Sequence, residues 1–342
     1  MLEYPTLTVN KSDEFFITVA KQGNHSFVML GVIQNNEPEL LARVGKIMVS
    51  SGFSVLDNLM LAGSIFSDAE SLLEDEGIAR EDDKERRVSY MSYALNYEQA
   101  MQFISLVSQI GSEQFIGGVP KCYQPNNDGG SSADEIVTLK YTGNRCSLDL
   151  KNKPIVDRTQ KISLRNNTCR HTALDILKYT LGIDHHPKHI STLFFQNLPL
   201  KTTLVKGKPN KATPFYVIPP PPTVFLKGKS FKKLGSKERA LIRIYKKMEK
   251  LLTNAPHSQD TKNKFDALKS LYNQLAGKNE QSLDAYIQQI MDWRKENPEA
   301  INTFRASTTA QKIGRFFCKE TATKKLIDSV QIDLECQFRS KN

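Results

Sequence analysis

Cys169 is the residue in this sequence best placed to do chemistry. In Ile162-Ser163-Leu164-Arg165-Asn166-Asn167-Thr168-Cys169-Arg170-His171-Thr172, polar turn residues run straight into an amphipathic pattern. Cys169 falls in its first turn. Unsatisfied backbone N–H groups and the helix dipole favour a thiolate there and lower the thiol pKa. A thiolate with a base beside it is a nucleophile for acyl carbon. The competing reading is a packed core cysteine, since cysteine is among the most buried residue types. Cys122, Cys146, Cys318 and Cys336 lack the helix-start context and are read as packed.

Six histidines could supply the base. His171 is two residues beyond Cys169 on the same helix, and residues two apart do not face each other. His257 sits in a polar loop. His185, His186 and His189 follow the helix and would have to return about 20 Å to its start. His189 is the alternative base if the chain crosses back. His25 opens the apolar, β-branched run Ser26–Ile33, directly after a Gly23-Asn24 turn. We therefore expect Cys169 as nucleophile and His25 as base. The competing reading of His25 is a half-buried, hydrogen-bonded strand histidine.

Histidine on a strand first and cysteine on a helix much later resembles the circularly permuted papain-like folds. The pair His25-Ser26-Phe27-Val28-Met29-Leu30-Gly31 and Asn167-Thr168-Cys169-Arg170-His171-Thr172 is similar to the motifs of the lecithin:retinol acyltransferase-like branch of the NlpC/P60 superfamily. Those motifs are of the type His-x-(small or aromatic)-x-apolar-apolar-Gly and Asn-Cys-x-His-Phe. Here Thr168 separates Asn167 from Cys169, and Thr172 replaces the aromatic residue. The resemblance implies an α+β, papain-like (circularly permuted) antiparallel sheet with helices. It implies Cys–His acyl transfer or hydrolysis, as in a protease, isopeptidase, deamidase or acyltransferase, without cofactor or metal. It also implies a third polar residue, for which Asn35, Asn36, Glu37 and Arg43 are candidates by proximity.

The elements that must position this pair are legible in part. Ser26–Ile33 and Leu40–Val44 read as a hairpin around Gln34–Pro38. Residues 53–76 show helical spacing through Leu56, Leu59, Met60, Ile65, Leu72 and Leu73, and Glu81–Arg87 reads as a solvated loop or helix end. Tyr97–Ile110 reads as a helix, 126–132 as a turn-rich loop and Ile136–Tyr141 as a strand. Residues 169–181 read as a helix capped by Gly182. Thr192–Phe195 and Pro214–Ile218 read as short strands. Pro219–Pro222 is a stiff extended spacer. Beyond it, helices are expected at 236–252, 260–276, 282–296 and within 307–330, an all-α helical bundle domain.

Length and charge agree with a division near residue 225. At about 100–200 residues per domain, 342 residues suggest two domains. Residues 1–225 carry 23 basic and 24 acidic side chains; residues 226–342 carry 24 and 13, so the +10 net charge belongs to the second part. We expect an α+β cysteine-enzyme domain at 1–225 and a basic helical domain at 226–342. Arg239, Arg243, Lys246, Lys247 and Lys250 recur opposite an apolar stripe. That pattern suits an acidic protein partner or an anionic membrane surface; the plain alternative is a solvated face. Nucleic acid is disfavoured because the basic stretch lacks interleaved exposed aromatics.

Other classes find little support. The odd number of scattered cysteines argues for a reducing compartment and against a disulfide framework. The Cys169 and histidine spacings fit no common zinc framework, and no phosphate-loop glycine motif occurs. No membrane span and no N-terminal signal peptide are read. The Lys- and Asn-rich composition and the acids Glu320, Asp328, Asp333 and Glu335 resemble type IV secreted effectors of the Legionella type. That resemblance implies delivery into a host cytosol and a host protein as substrate or partner; otherwise the chain is expected in the cytoplasm. The rival function is a non-enzymatic effector or adaptor in which Cys169 simply packs.

Overall fold

The structure is a computed structural model. It describes residues 5–49, 64, 67–78, 85–125, 135–184, 187, 190–205, 208–222, 234–253, 256–276, 281–303 and 320–339. The chain forms two compact units, Met1–Val217 and Ile218–Asn342, divided just before the Pro219–Pro222 run. The fold is α+β, with its strands in the first unit and only helices in the described part of the second.

The first unit is built on an antiparallel eight-stranded sheet. Its strands are β2 (Glu14–Gln22), β3 (His25–Gln34), β4 (Glu37–Met48), β5 (Ala69–Asp75), β6 (Arg86–Leu95), β9 (Lys161–Ile162), β10 (Leu200–Val205) and β11 (Lys208–Pro209). Their order is β11-β10-β6-β2-β3-β4-β5-β9. A second, three-stranded sheet has the order β1-β8-β7, from β1 (Thr6–Asn10), β7 (Cys122–Pro125) and β8 (Ile136–Thr142).

The central strands are covered on both faces. Phe15 to Ala20 of β2 and Ser26 to Val32 of β3 are buried without interruption, so their sequences run apolar instead of alternating. Helix α1 (Tyr97–Ser112) and helix α3 (Cys169–Leu181) pack on the sheet; between them lies the short helix α2 (Lys153–Thr159). Phe215 stacks on Tyr90 and packs against Phe16. The hairpin β3–β4 turns on Asn35 and Asn36, both with positive φ, the left-handed pair that matches strand twist.

Several sequence expectations fail here for identifiable reasons. Residues 69–75 form a strand, not a helix: Ser71 and Leu73 point inward with a period of two, and the helical spacing seen in Leu72-Leu73 is a coincidence of an adjacent pair. The remainder of 53–66, apart from buried Ser64, lies outside the described residues, as do the 126–132 loop and Cys318. Arg86 and Arg87 begin β6 and are not part of a charged loop. Thr192–Phe195 is a turn and Pro214–Val217 is extended outside any named strand. Of residues 192–195, Leu193 and Phe195 are exposed.

In the second unit the described helices are α4 (Ser236–Thr253), α5 (Gln259–Ala276), α6 (Leu283–Glu296), α7 (Pro298–Asn302) and α8 (Ala322–Arg339). Trp293 is buried and its Nε1–H donates to the Ala267 carbonyl at 3.0 Å. The basic stripe of α4 is partly internal. Arg239 forms a two-point contact with Asp333 of α8, 2.8 and 3.0 Å, and Arg243 lies 3.7 Å from the same carboxylate. Asp328 pairs with Arg294 at 2.8 Å and Glu320 with Lys324 at 2.6 Å. Two of the four acids singled out near the C-terminus, Asp328 and Asp333, thus tie α8 to α6 and α4, and Glu320 pairs locally. No described helix is long and apolar enough to cross a membrane.

Candidate active site

Helix α3 begins where the sequence places it, and for the expected reason. Thr168 is its N-cap in extended conformation, and Gly182 ends it at φ 64°. His171 completes the cap: its Nδ1 accepts from the Thr168 N–H at 3.3 Å and lies 3.0 Å from the Thr168 hydroxyl. His171 therefore shapes the helix start. Asn167, the residue the family resemblance singles out, is a staple of the preceding loop. Its side-chain amide donates to the Arg158 and Lys161 carbonyls, and its oxygens accept from Lys46.

Cys169 is the first residue of α3 and is 8% exposed. Its Sγ accepts from the Ser26 backbone N–H at 3.3 Å and lies 3.9 Å from the Asn24 carbonyl oxygen. The Ser26 N–H is available because the β3–β4 ladder stops at Phe27 opposite Gly45, one residue short of Ser26. The Arg170 N–H and His25, the first residue of β3, also favour the thiolate at this sulfur. The structure thus brings together the two residues chosen from the sequence, although 143 positions separate Ser26 from Cys169.

A third residue completes the arrangement, and the sequence reading missed it. Glu76 immediately follows β5, and its backbone N–H bonds the Arg43 carbonyl at 3.0 Å, one step past the β4–β5 ladder. Glu76 Oε1 contacts His25 Nε2, and Oε2 accepts from Arg43 Nε at 3.1 Å. With Nε2 committed to Glu76, Nδ1 is the ring nitrogen that remains to serve the sulfur, one proton site per nitrogen. Phe27 supports both cationic groups. Its ring stacks with His25 at 5.9 Å and lies 4.6 Å under the Arg43 guanidinium. Among the candidates named for the third polar residue, Arg43 reaches His25 through Glu76 and Phe27. Asn35 and Asn36 form the hairpin turn, and Glu37 pairs with Lys211 at 2.6 Å on the surface.

The electrostatics favour an ion pair. Burial opposes charge on both partners, but other forces prevail. The imidazole beside Glu76 and the thiolate is pushed up to about 10. The thiol is held below its ordinary value by His25 and by the Ser26 and Arg170 N–H groups. The two titrate as one coupled system. The pair Cys169 thiolate–His25 imidazolium therefore occupies the window from the lowered thiol value to about pH 10. Cys122 shows the opposite case: full burial without a cation drives its thiol strongly up.

Gly45 makes the His25–Glu76 contact possible. A Cβ at this position would overlap Glu76 Oε1 and come 2.5 Å from His25 Nε2. Gly45→Ala is expected to separate the two side chains. Thiolate stabilisation lost by one pKa unit is about tenfold in reactive fraction, and overpacking costs about 1–3 kcal/mol. Alkylation rates at pH 7 and thermal melting check this; wild-type values for both would show that the contact is dispensable.

The remaining histidine candidates do not enter the geometry. His185, His186 and His189 lie outside the described residues, and His257 belongs to the second unit. Among the described residues no group of three or more His, Cys, Asp or Glu forms a metal-binding cluster. An open hollow of about 410 Å³ lined by Ile155, Lys178, Tyr179 and Asp184 lies at the C-terminal end of α3, about 20 Å from Cys169 by helix length. What the chain's own residues assemble at the other end is a cysteine, a histidine and a glutamate in series. Comparison of the chain with protein-family models, with curated proteins and with solved structures finds no match.

Proposed function

We propose that the first unit is a thiol enzyme for acyl transfer or hydrolysis. The reading rests on one observation: a cysteine at a helix N-terminus whose thiolate is favoured by a histidine that a buried glutamate holds at Nε2. Histidine on a strand before cysteine on a helix also supports a circularly permuted papain-like reading of the α+β fold. In the proposed reaction the Cys169 thiolate attacks an acyl carbon, forming the S–C bond and moving the carbonyl π pair onto oxygen. His25 gives its proton to the leaving nitrogen, oxygen or sulfur as that bond breaks. Water or a second nucleophile then attacks the thioester, losing its proton to His25 and releasing the Cys169 sulfur. Glu76 orients the ring and favours its protonated form, a positioning role. Backbone N–H groups at the start of α3 are the donors for the developing oxyanion. The range covers protease, isopeptidase, deamidase and acyltransferase. Delivery into a host cell by a type IV system would give it host protein substrates. Lys246 and Lys250, exposed on α4, are the basic side chains we propose for an acidic protein or anionic membrane surface.

The test is selective alkylation with iodoacetamide, read by peptide mass spectrometry. At pH 7 Cys169 is expected to react about ten times faster than Cys146 or more, because a lowered pKa raises the thiolate fraction by about tenfold per unit. The Cys169 rate is expected to inflect below the ordinary thiol pKa. Slow alkylation of Cys169, equal to that of the exposed Cys146 and Cys336, would make it a packed residue and the unit an interaction module.

A further inference from the structure

Three buried cations surround Cys169, and none of them has a carboxylate within ion-pair distance among the described residues. Arg170 is fully buried and directs its Nε to Ser26 Oγ at 2.9 Å and its two terminal nitrogens to the Ser191 and Gln196 carbonyls at 2.9 and 3.0 Å. Lys46 is 2% exposed and bonds the Arg158 carbonyl at 2.9 Å and two oxygens of Asn167 at 3.0 and 3.2 Å. Lys21 is 7% exposed and bonds the Gly23 carbonyl and, at 3.1 Å, Asn197 Oδ1. Every one of these partners is neutral. Asp175 and Asp68 act on Lys46 from farther away, and the Cys169 thiolate acts on all three cations.

Lys21 differs from the other two in its unused capacity. An ammonium has three N–H bonds, and Lys21 has two acceptors, whereas Lys46 has three and Arg170 uses each of its nitrogens. Lys21 is also close to the dyad. It stands opposite Ser26 in the β2–β3 ladder, and the Ser26 N–H bonds Sγ. A third acceptor for this ammonium would therefore lie on the part of the sheet that carries the reacting sulfur, whose charge acts on Lys21. Uncompensated positive charge in a desolvated site attracts an anion more strongly than the same charge in water.

We propose that Lys21 makes the Cys169 site selective for an acyl donor carrying a carboxylate next to the reacting carbonyl. This rests on the thiol-enzyme reading above and adds a substrate class to it.

The probes are iodoacetate and iodoacetamide. Each forms an S–C bond at Cys169 as the C–I bond breaks and iodide leaves with the electron pair. They differ in charge, so the ratio of their rate constants cancels the thiolate fraction. At low ionic strength the iodoacetate/iodoacetamide ratio at Cys169 is expected to exceed that at Cys146 of the same chain by about tenfold, and to fall with salt. Lys21→Gln is expected to lower it about fivefold, and Lys21→Arg to preserve it. A ratio at Cys169 equal to that at Cys146 overturns the proposal, and so does a ratio unchanged in folded Lys21→Gln. If Lys21→Gln does not fold, as judged by circular dichroism, Lys21→Met, which keeps the aliphatic stem without the charge, takes its place; it is expected to lower the ratio equally, and an unchanged ratio overturns the proposal. Failure of the underlying reading is distinguishable: iodoacetamide alone would then find Cys169 no faster than Cys146.

Discussion

His25→Ala is expected to reduce the alkylation rate of Cys169 at pH 7 by about tenfold or more. The expectation follows from what remains when the ring is gone. Cys169 is 8% exposed, and burial alone raises a thiol pKa. Of the influences that lower it, the imidazole bond and charge disappear, leaving the Ser26 and Arg170 N–H groups. A thiol restored to its ordinary value of 9.0 is only about 1% thiolate at pH 7, whereas the paired thiolate is far more populated. The pH profile carries the sign. In the wild type the lowered thiol pKa stabilises the fold above the ordinary thiol value, and that contribution is lost as pH falls through the folded-state value. The raised imidazole contributes fully below 6.5 and is lost as pH rises through about 10. The inflection in alkylation should therefore move alkaline of its wild-type position in His25→Ala. Acyl chemistry should lose a further 10²–10⁴-fold, because no group remains to protonate the leaving atom. A His25→Ala protein that alkylates at the wild-type rate would separate the ring from the sulfur and end the dyad.

Cys169 and His25 were legible because each is announced locally. Polar residues before an amphipathic run mark a helix start, and Gly23-Asn24 before a β-branched run marks a strand start. Their meeting is not local, and it depended on reading both ends correctly. Glu76 was not legible. It lies 51 residues from His25 at the end of a strand whose adjacent leucines mimic helical spacing. Nothing in Leu73-Glu74-Asp75-Glu76 distinguishes the buried acid from its exposed neighbour Glu74; only the β4–β5 register does. Gly45 was silent for a similar reason, since its role is an absence of atoms between two distant side chains. The strands β2 and β6 escaped because buried polar residues, Thr18 in β2 and Ser89 and Ser92 in β6, interrupt the continuous apolar run by which β3 is recognised. The basic stripe of α4 was visible, yet which arginines face inward depends on Asp333, some ninety positions later. The site thus divides: Cys169 and His25, set by backbone punctuation, could be read, and Glu76 and Gly45, set by sheet register, could not.

Glu76→Ala is expected to destabilise the first unit by about 3–5 kcal/mol, the range for breaking a buried ion pair from one side. The carboxylate serves two cationic groups. Arg43 has a side chain 1% exposed, and His25 has one that is 34% exposed. Arg43 has the greater penalty when the acid is removed, because its side chain is the more deeply buried and a guanidinium does not deprotonate. Its position over Phe27 offsets only part of that loss. Glu76→Gln keeps the shape and one acceptor oxygen, so its destabilisation should be smaller while the imidazole pKa still falls. Replacing both Arg43 and Glu76 together by Met and Leu separates structure from chemistry. Apolar groups of similar volume remove the desolvation penalty along with the attraction, and such exchanges are often close to neutral. The double variant Arg43→Met, Glu76→Leu should therefore recover most of the stability lost in Glu76→Ala. It should not recover Cys169 reactivity, because His25 still lacks the acid that holds Nε2 and sustains its charge. Urea unfolding and iodoacetamide kinetics on the three proteins measure the two quantities independently. If reactivity returned together with stability, Glu76 would be a counter-ion for Arg43 and no part of the site. If Glu76→Ala unfolded at the wild-type urea midpoint, the carboxylate would be solvated and the buried series Arg43–Glu76–His25 would not exist.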